Sequence, residues 1–233
     1  MNNIEVFLVV EGQTEQTFIR DILAPEMAQK GIYLHAALIG KPGHKGGDIR
    51  FERAKEDIGN FLAQRDDIFV GTMLDYFRID TSWPGCHLVN QKIQAGMRLT
   101  AIQKASLIEE ETLKKITELF PDYKAEKRFI PYIEMHEFEA LLFSDASILA
   151  NKIGVELPHI QKILDTYDNP EEINDNPDNA PSKRLNRLMS NYRKVAMGKT
   201  ISEVIGIQKI RSRCPNFHNW LIKLEKLEET HTG

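Results

Sequence analysis

Two hydrophobic periods take turns along this chain. Ile4 to Val10 is almost wholly apolar and reads as a buried strand. It stops at Glu11-Gly12, and a helical pattern then runs from about Thr14 to Lys30, with Thr14 as a cap and Pro25 as an interruption or restart. Tyr33 to Ile39 reads as a second strand, followed by the loop Gly40-Lys41-Pro42-Gly43-His44-Lys45-Gly46-Gly47. Ile49 to Gln64 places Phe51, Ala54, Ile58, Phe61 and Leu62 near helical spacing. Ile68 to Leu74 is a third strand ending at Asp75, and Tyr76 to Met97 a long connection around Trp83-Pro84-Gly85. Leu99 to Phe120 predicts a long helix and Phe129 to Met135 a fourth strand. His136-Glu137-Phe138-Glu139 follows at once, then a helical Ala140-Leu141-Leu142-Phe143.

Beyond Ser144 the pattern becomes short helices broken by Asn, Asp and Pro, notably over Asn169 to Asn179, and ends in an amphipathic helix from about Asn216 to Glu229. Strand alternating with helix predicts an α/β fold. The expected architecture is a mainly parallel sheet of about four strands flanked by helices over residues 1–145, with a helical C-terminal region, 146–233, packed on it.

Composition narrows the picture only slightly. The 233 residues, 42% hydrophobic and 27% charged, suffice for a substantial core. A net charge of -4 excludes a general basic footprint for nucleic acid, so such contact must come from a local patch. Cys86 and Cys214 form no metal-ligand spacing and no disulfide framework, which suits a reducing cytoplasm. No apolar run is long enough for a bilayer and Met1-Asn2-Asn3-Ile4 lacks signal-peptide character, so a cytoplasmic protein without a membrane partner is expected.

Charge placement says more. Three strand ends carry acid: Glu11 with Glu15, Asp75, and Glu137 with Glu139. In a parallel sheet all carboxyl ends lie on one edge, where open α/β sheets bind ligands. Five carboxylates converging there repel one another unless cations join them. Hard oxygen donors in this number suit one or two Mg²⁺ or Mn²⁺ ions, and two such ions commonly clamp a phosphodiester. Each piece also has an ordinary reading. Glu11 alone is a loop carboxylate, Glu15 a favourable charge at a helix start, and Asp75 a frequent strand-end residue. Glu137 and Glu139, closely flanked by apolar residues, fit solvated surface poorly.

Val10-Glu11-Gly12 with Thr14-Glu15, the strand-end Asp75 and the later acidic strand end resemble the Toprim domain of topoisomerases, primases and OLD-type nucleases. The string His136 to Phe143 is similar to the signature of a group of Toprim-like bacterial proteins. So is the later block of Ala180-Pro181-Ser182-Lys183-Arg184-Leu185, Ile205-Gly206, Ile210-Arg211, Cys214-Pro215 and Trp220. The resemblance runs from about residue 4 to about residue 221. It implies a Toprim-type sheet and Mg²⁺ held by Glu11, Glu15 and Asp75, with Glu139, alone or together with Glu137, completing the set. Phe77 stands where the Asp-x-Asp motif has its second aspartate, and Asp80 is out of register. The resemblance also implies an ABC- or AAA-type ATPase partner and a role in phage defence.

Among cations, Lys183 and Arg184 follow Ser182 at a helix start, where they either hold a phosphate or face solvent. Lys194 belongs to a run with Arg187, Arg193 and Lys199 that either tracks a nucleic-acid backbone or is plain surface. His136 is a candidate general base or a local hydrogen-bonding residue. Gly46 and Gly47, with Lys41 and Lys45, form a candidate phosphate loop without a Walker pattern. Arg78 and Trp83 are candidates for meeting a nucleotide, Trp83 equally for anchoring its loop. The expected function is Mg²⁺-dependent hydrolysis of nucleic acid, DNA or RNA, by Glu11, Asp75, Glu139 and Lys183. The alternative is a non-catalytic regulatory or nucleic-acid-binding module partnering an ATPase. Either form is compatible with an oligomer.

Overall fold

The structure is a computed structural model and describes residues 3–39, 49–173 and 177–227. Strand β1 (Ile4–Val10) feeds α1 (Gln13–Phe18), a π-helical turn (Ile19–Leu23) and α2 (Ala24–Ala28). Pro25 lacks the N–H that would bond one turn back. The preceding turn widens to the π form, and the helix passes through without stopping. Thr14 does not cap α1. Gly12 takes the cap position, and Thr14 is buried in the first turn. The chain continues through β2 (Ile32–Leu38), α3 (Phe51–Gln64) and β3 (Phe69–Asp75). The glycine and lysine loop at 40–47 lies outside the described residues.

The connection after β3 is not irregular throughout, for it contains α4 (Cys86–Gln94). Trp83-Pro84-Gly85 suggests a loop by its composition. Gly85 instead starts this helix from a left-handed conformation, φ 88°. A Cβ there would also lie 2.7 Å from Ile108 Cα and from Leu107 O. Gly85→Ala is therefore expected to cost about 2 kcal/mol, measured by urea unfolding. Trp83 is a buried anchor, donating from Nε1 to Thr112 Oγ1 at 2.8 Å and meeting Phe51 edge-on.

After α5 (Ala101–Leu119) and α6 (Ala125–Arg128) the fourth strand comes as two short pieces, β4 (Phe129–Ile130) and β5 (Ile133–Glu134). Both lie along β3 in one register, Val70 opposite Phe129 and Asp75 opposite Glu134. Pro131 separates them, having no N–H to give the ladder. Thr72 bridges the gap, accepting from Tyr132 N at 2.9 Å and donating to Tyr132 O at 3.1 Å. The sheet is parallel in every pairing, in the order β2-β1-β3-β4 with β5 on β3. The chain is an α/β protein, as the alternating periods imply.

A 3-10 helix (Phe138–Ser144) replaces the helical turn expected after His136. Then come α7 (Ala146–Ile153), α8 (Leu157–Leu164), α9 (Pro181–Leu188), α10 (Lys194–Ile205), α11 (Ile207–Arg213) and α12 (Pro215–Glu225). The expected last helix thus ends at Glu225, and residues 228 and 229 lie outside the described residues.

Side-chain alternation divides the core between the two faces of the sheet. Ile4, Val6, Leu8 and Val10 face a cluster shared with Phe18, Phe138, Leu185, Ile201, Phe217 and Trp220. Val9, Val70 and Leu74 face a second cluster under α3, α4 and α5. The C-terminal helices therefore share one buried cluster with β1 and α1. No helix among the described residues is long and apolar enough to cross a membrane.

Candidate functional site

The carboxyl edge of the sheet receives acid from three strand ends, as parallel topology requires. Glu11 follows β1 directly, and Glu15 sits in the first turn of α1. Asp75 is the last residue of β3 and fully buried, its Oδ1 accepting from Phe138 N at 3.0 Å. That bond ties the acid of one strand to the segment carrying Glu137 and Glu139. Glu139 is wholly buried in the 3-10 helix.

The carboxylates feel one another. Burial first, then the charges of Glu15, Glu11 and Glu139, hold Asp75 well above the usual carboxylate range. Burial, with Glu11 and Glu139 adding to it, pushes Glu15 up to about 7. Burial also raises Glu11 and Glu139, opposed at Glu11 by Arg78 and at Glu139 by Lys194.

Two cations answer this charge. Arg78 Nε donates to Glu11 Oε1 at 2.6 Å. Lys194, the first residue of α10, donates from Nζ to Glu139 Oε2 at 3.0 Å and lies 3.8 Å from Glu137 Oε2. Close packing sets the position of α10. Gly198 faces Phe138 and Thr14, and a Cβ there would lie 3.0 Å from the Phe138 ring. Lys199 Nζ also donates to Asp21 Oδ2 at 2.7 Å, tying α10 to the π-helical turn.

The remaining candidates separate in position. Glu137 is taken up by the start of α9, where Ser182 N donates to its Oε1 at 2.5 Å and the Ser182 hydroxyl to its Oε2 at 3.0 Å. Lys183 follows at the exposed outer side of that turn, whereas Lys194 is the lysine inside the carboxylate cluster. Arg184 turns to structure: it donates to Asn179 O at 2.8 Å and the Tyr167 hydroxyl at 2.7 Å, with its guanidinium over the Tyr167 ring. His136 is buried against Phe77 and Tyr76, and burial pushes it down to about 3. The ring is therefore neutral at physiological pH, and both of its nitrogens are buried without a hydrogen-bond partner among the described residues. Phe77 stacks on that ring at 5.6 Å, and Asp80 is engaged by Ser82 in its own turn.

Several residues here carry no signal in the sequence pattern. Glu134 at the end of β5 is fully buried within a run that reads as apolar. It accepts from the Tyr132 hydroxyl at 2.7 Å. Beside it Glu171 accepts from Asn216 N at 2.8 Å and Phe217 N at 2.9 Å, and burial pushes it up to about 7. The Tyr192 hydroxyl is buried near Glu139 and Glu137 without a hydrogen-bond partner.

Among the described residues no three His, Cys, Asp or Glu side chains stand, as placed, in a geometry that holds a metal ion. In kind the donors fit a hard divalent cation. They are all carboxylate, and Glu11 Oε2 and Glu139 Oε1 are buried with no partner. Lys194 and Arg78 already sit on the same two carboxylates.

Fold and site together define an α/β protein with a cluster of buried carboxylates at the carboxyl edge of its parallel sheet. The chain belongs to the family described as Domain of unknown function (DUF4276), which matches residues 10–225. Comparison with curated proteins and with solved structures gave no match.

Proposed function

We propose that the protein is a Mg²⁺- or Mn²⁺-dependent phosphodiester hydrolase of the Toprim type, acting on nucleic acid in the cytoplasm. The observation that carries this reading is the meeting of Glu11, Glu15, Asp75 and Glu139 at one sheet edge, with Glu11 Oε2 and Glu139 Oε1 buried and unpartnered. Desolvated carboxylates in this number are costly unless a cation joins them. Glu11, Asp75 and Glu139 would hold the ion, with Glu15 beside them. A bound Mg²⁺ would supply Lewis acidity at a phosphoryl oxygen. Arg78 and Lys194, each about half exposed, are placed to receive the phosphate charge as it approaches. Glu137 holds the start of α9 against the site through Ser182. The ATPase partner and the role in phage defence are part of the proposal and rest on the likeness of His136 to Phe143 to Toprim-like bacterial proteins.

A second reading draws support from the two cations already seated on the acids. Here the protein is a regulatory or nucleic-acid-binding module of an ATPase, and the site needs no metal. Calorimetry with Mn²⁺ separates the two, followed by Mg²⁺-supported cleavage of DNA and RNA oligonucleotides. Hydrolase function predicts saturable Mn²⁺ binding that Asp75→Asn and Glu139→Gln abolish, with cleavage reduced by about 100-fold or more. Binding or cleavage that survives both substitutions removes the hydrolase reading.

A further inference from the structure

Resting on the reading of a divalent-cation site, we propose that Lys194 is its resident counter-ion. The ammonium neutralises the acidic cleft in the metal-free protein, and a divalent cation enters only by displacing it from Glu139. The cleft is thereby held shut to weak or scarce cations, and its occupancy is set by competition between a tethered charge and a free one.

The geometry points to exchange rather than to a permanent ion pair. Lys194 Nζ bonds Glu139 Oε2 at 3.0 Å and approaches Glu137 Oε2 to 3.8 Å. Its field also reaches Asp75, Glu15 and Glu11, so one ammonium serves every acid of the cleft. Yet it satisfies them incompletely. Glu139 Oε1, Glu11 Oε2 and the Tyr192 hydroxyl are all buried without partners. A compact monovalent donor cannot bond oxygens arriving from three strand ends, whereas a divalent ion with six oxygen ligands is suited to that task.

The lysine is also free to leave. Glu139 is fully buried, but the Lys194 side chain is 47% exposed and its flexible stem leads to solvent. The backbone of α10 stays anchored by Gly198 against Phe138 and by Lys199 on Asp21, so only the side chain must swing. Once displaced, the ammonium remains at the rim of the cleft, where an anionic substrate arrives.

Competition and simple structural pairing differ in sign. Removing a competitor tightens cation binding, because the incoming ion no longer meets a like charge at the same carboxylate. Removing a merely structural lysine destabilises the cleft and leaves affinity equal or weaker. The experiment is Mn²⁺ titration calorimetry on the wild-type chain, Lys194→Met, Lys194→Gln, Lys194→Arg and Glu139→Gln. Lys194→Met and Lys194→Gln should bind Mn²⁺ about tenfold or more tightly, and Lys194→Arg should stay near wild type. In the wild-type chain, acetylation of Lys194 by an amine-reactive reagent, followed by mass spectrometry, should quicken when Mn²⁺ is added.

Equal or weaker binding in the Met and Gln variants, with binding still lost in Glu139→Gln, overturns the competitor role and leaves the cation site standing. Acetylation that Mn²⁺ leaves unchanged or slows does the same without relying on a variant. If neither wild type nor Lys194→Met binds Mn²⁺, or if Glu139→Gln leaves binding untouched, the site itself fails and the proposal with it.

Discussion

Metal-free protein is expected to lose thermal stability as the pH rises from about 5 to about 8, and Mg²⁺ should restore part of it only at the upper end of that range. Burial pushes Glu15 and Glu171 from 4.5 up to about 7, and holds Asp75 and Glu134 well above their ordinary values. Below about 4.5 the folded and unfolded chains both keep these protons, and the groups contribute nothing to the pH dependence. Between about 4.5 and 7 the folded chain holds protons that the unfolded chain has released, so the free energy of unfolding falls as the pH rises. Glu171 alone, held at about 7 instead of 4.5, accounts for roughly 3 kcal/mol by the top of that window. The acid side has the opposite sign. Glu225 is lowered to about 2 by Arg211 and Lys30, and Asp21 is lowered by Arg20 and Lys199. What they add is present above about 4.5 and lost below it, and solvent screens it because these pairs are only half-buried. Stability should therefore peak near pH 5. A divalent ion bound by Glu11, Glu15, Asp75 and Glu139 requires their deprotonated forms, so it stabilises at pH 8 and not at pH 5. Glu171→Gln should remove part of the slope with or without metal, and Glu15→Gln the part that metal restores. Circular-dichroism melts across the pH range, in chelator and in Mg²⁺, make the measurement. A flat profile, or a Mg²⁺ effect of equal size at pH 5 and pH 8, rejects the account.

The framework behind that prediction was legible because two strands announce both their faces and their ends. In β1 and β3 the alternation of buried residues matches the two core clusters, and each strand stops at a carboxylate. Parallel pairing then brings Glu11 and Asp75 to one edge without any knowledge of side-chain positions. Lys194 could not be placed this way. It lies 55 residues from Glu139 and reaches it only because α10 packs on Phe138 through Gly198. Glu134 and Glu171 were hidden for another reason. A single acid within or beside an apolar run leaves hydrophobic periodicity intact, and its partners, the Tyr132 hydroxyl and the start of α12, are set by tertiary packing. Helix α4 was masked by Trp83-Pro84-Gly85, residues that read as punctuation yet here deliver a buried anchor and a left-handed start.

Arg128→Met is expected to lower stability by about 4 kcal/mol while Arg65→Ala should leave it nearly unchanged. Arg128 is 95% removed from solvent, and the hydrogen bonds of its guanidinium go to backbone: Nε donates to Ile68 O at 2.9 Å, and Nη1 to Leu62 O at 3.1 Å and Tyr123 O at 3.0 Å, with the exposed Asp66 carboxylate a looser ion partner at 3.9 Å. Its Nη2 also donates to Arg65 O. Leu62 and Arg65 belong to the end of α3, whose last carbonyls have no partner within the helix, so a fixed cation there both caps the helix and answers its dipole. Ile68 immediately precedes β3, and Tyr123 lies just before α6, which leads into β4. One side chain therefore clamps the backbone ahead of two neighbouring strands. Methionine fills similar volume but leaves these carbonyls unbonded. Lysine keeps the charge as a single point with no planar fork, and Arg128→Lys should cost about half as much. Arg65 lies on the exposed surface beside Glu5 and Asp67, where ion pairs are worth little. Urea unfolding of the wild-type chain and the three variants gives the comparison. A loss below about 1 kcal/mol in Arg128→Met would mean that water replaces the guanidinium at these carbonyls, and the clamp would then not be what fixes β3 and β4 relative to α3.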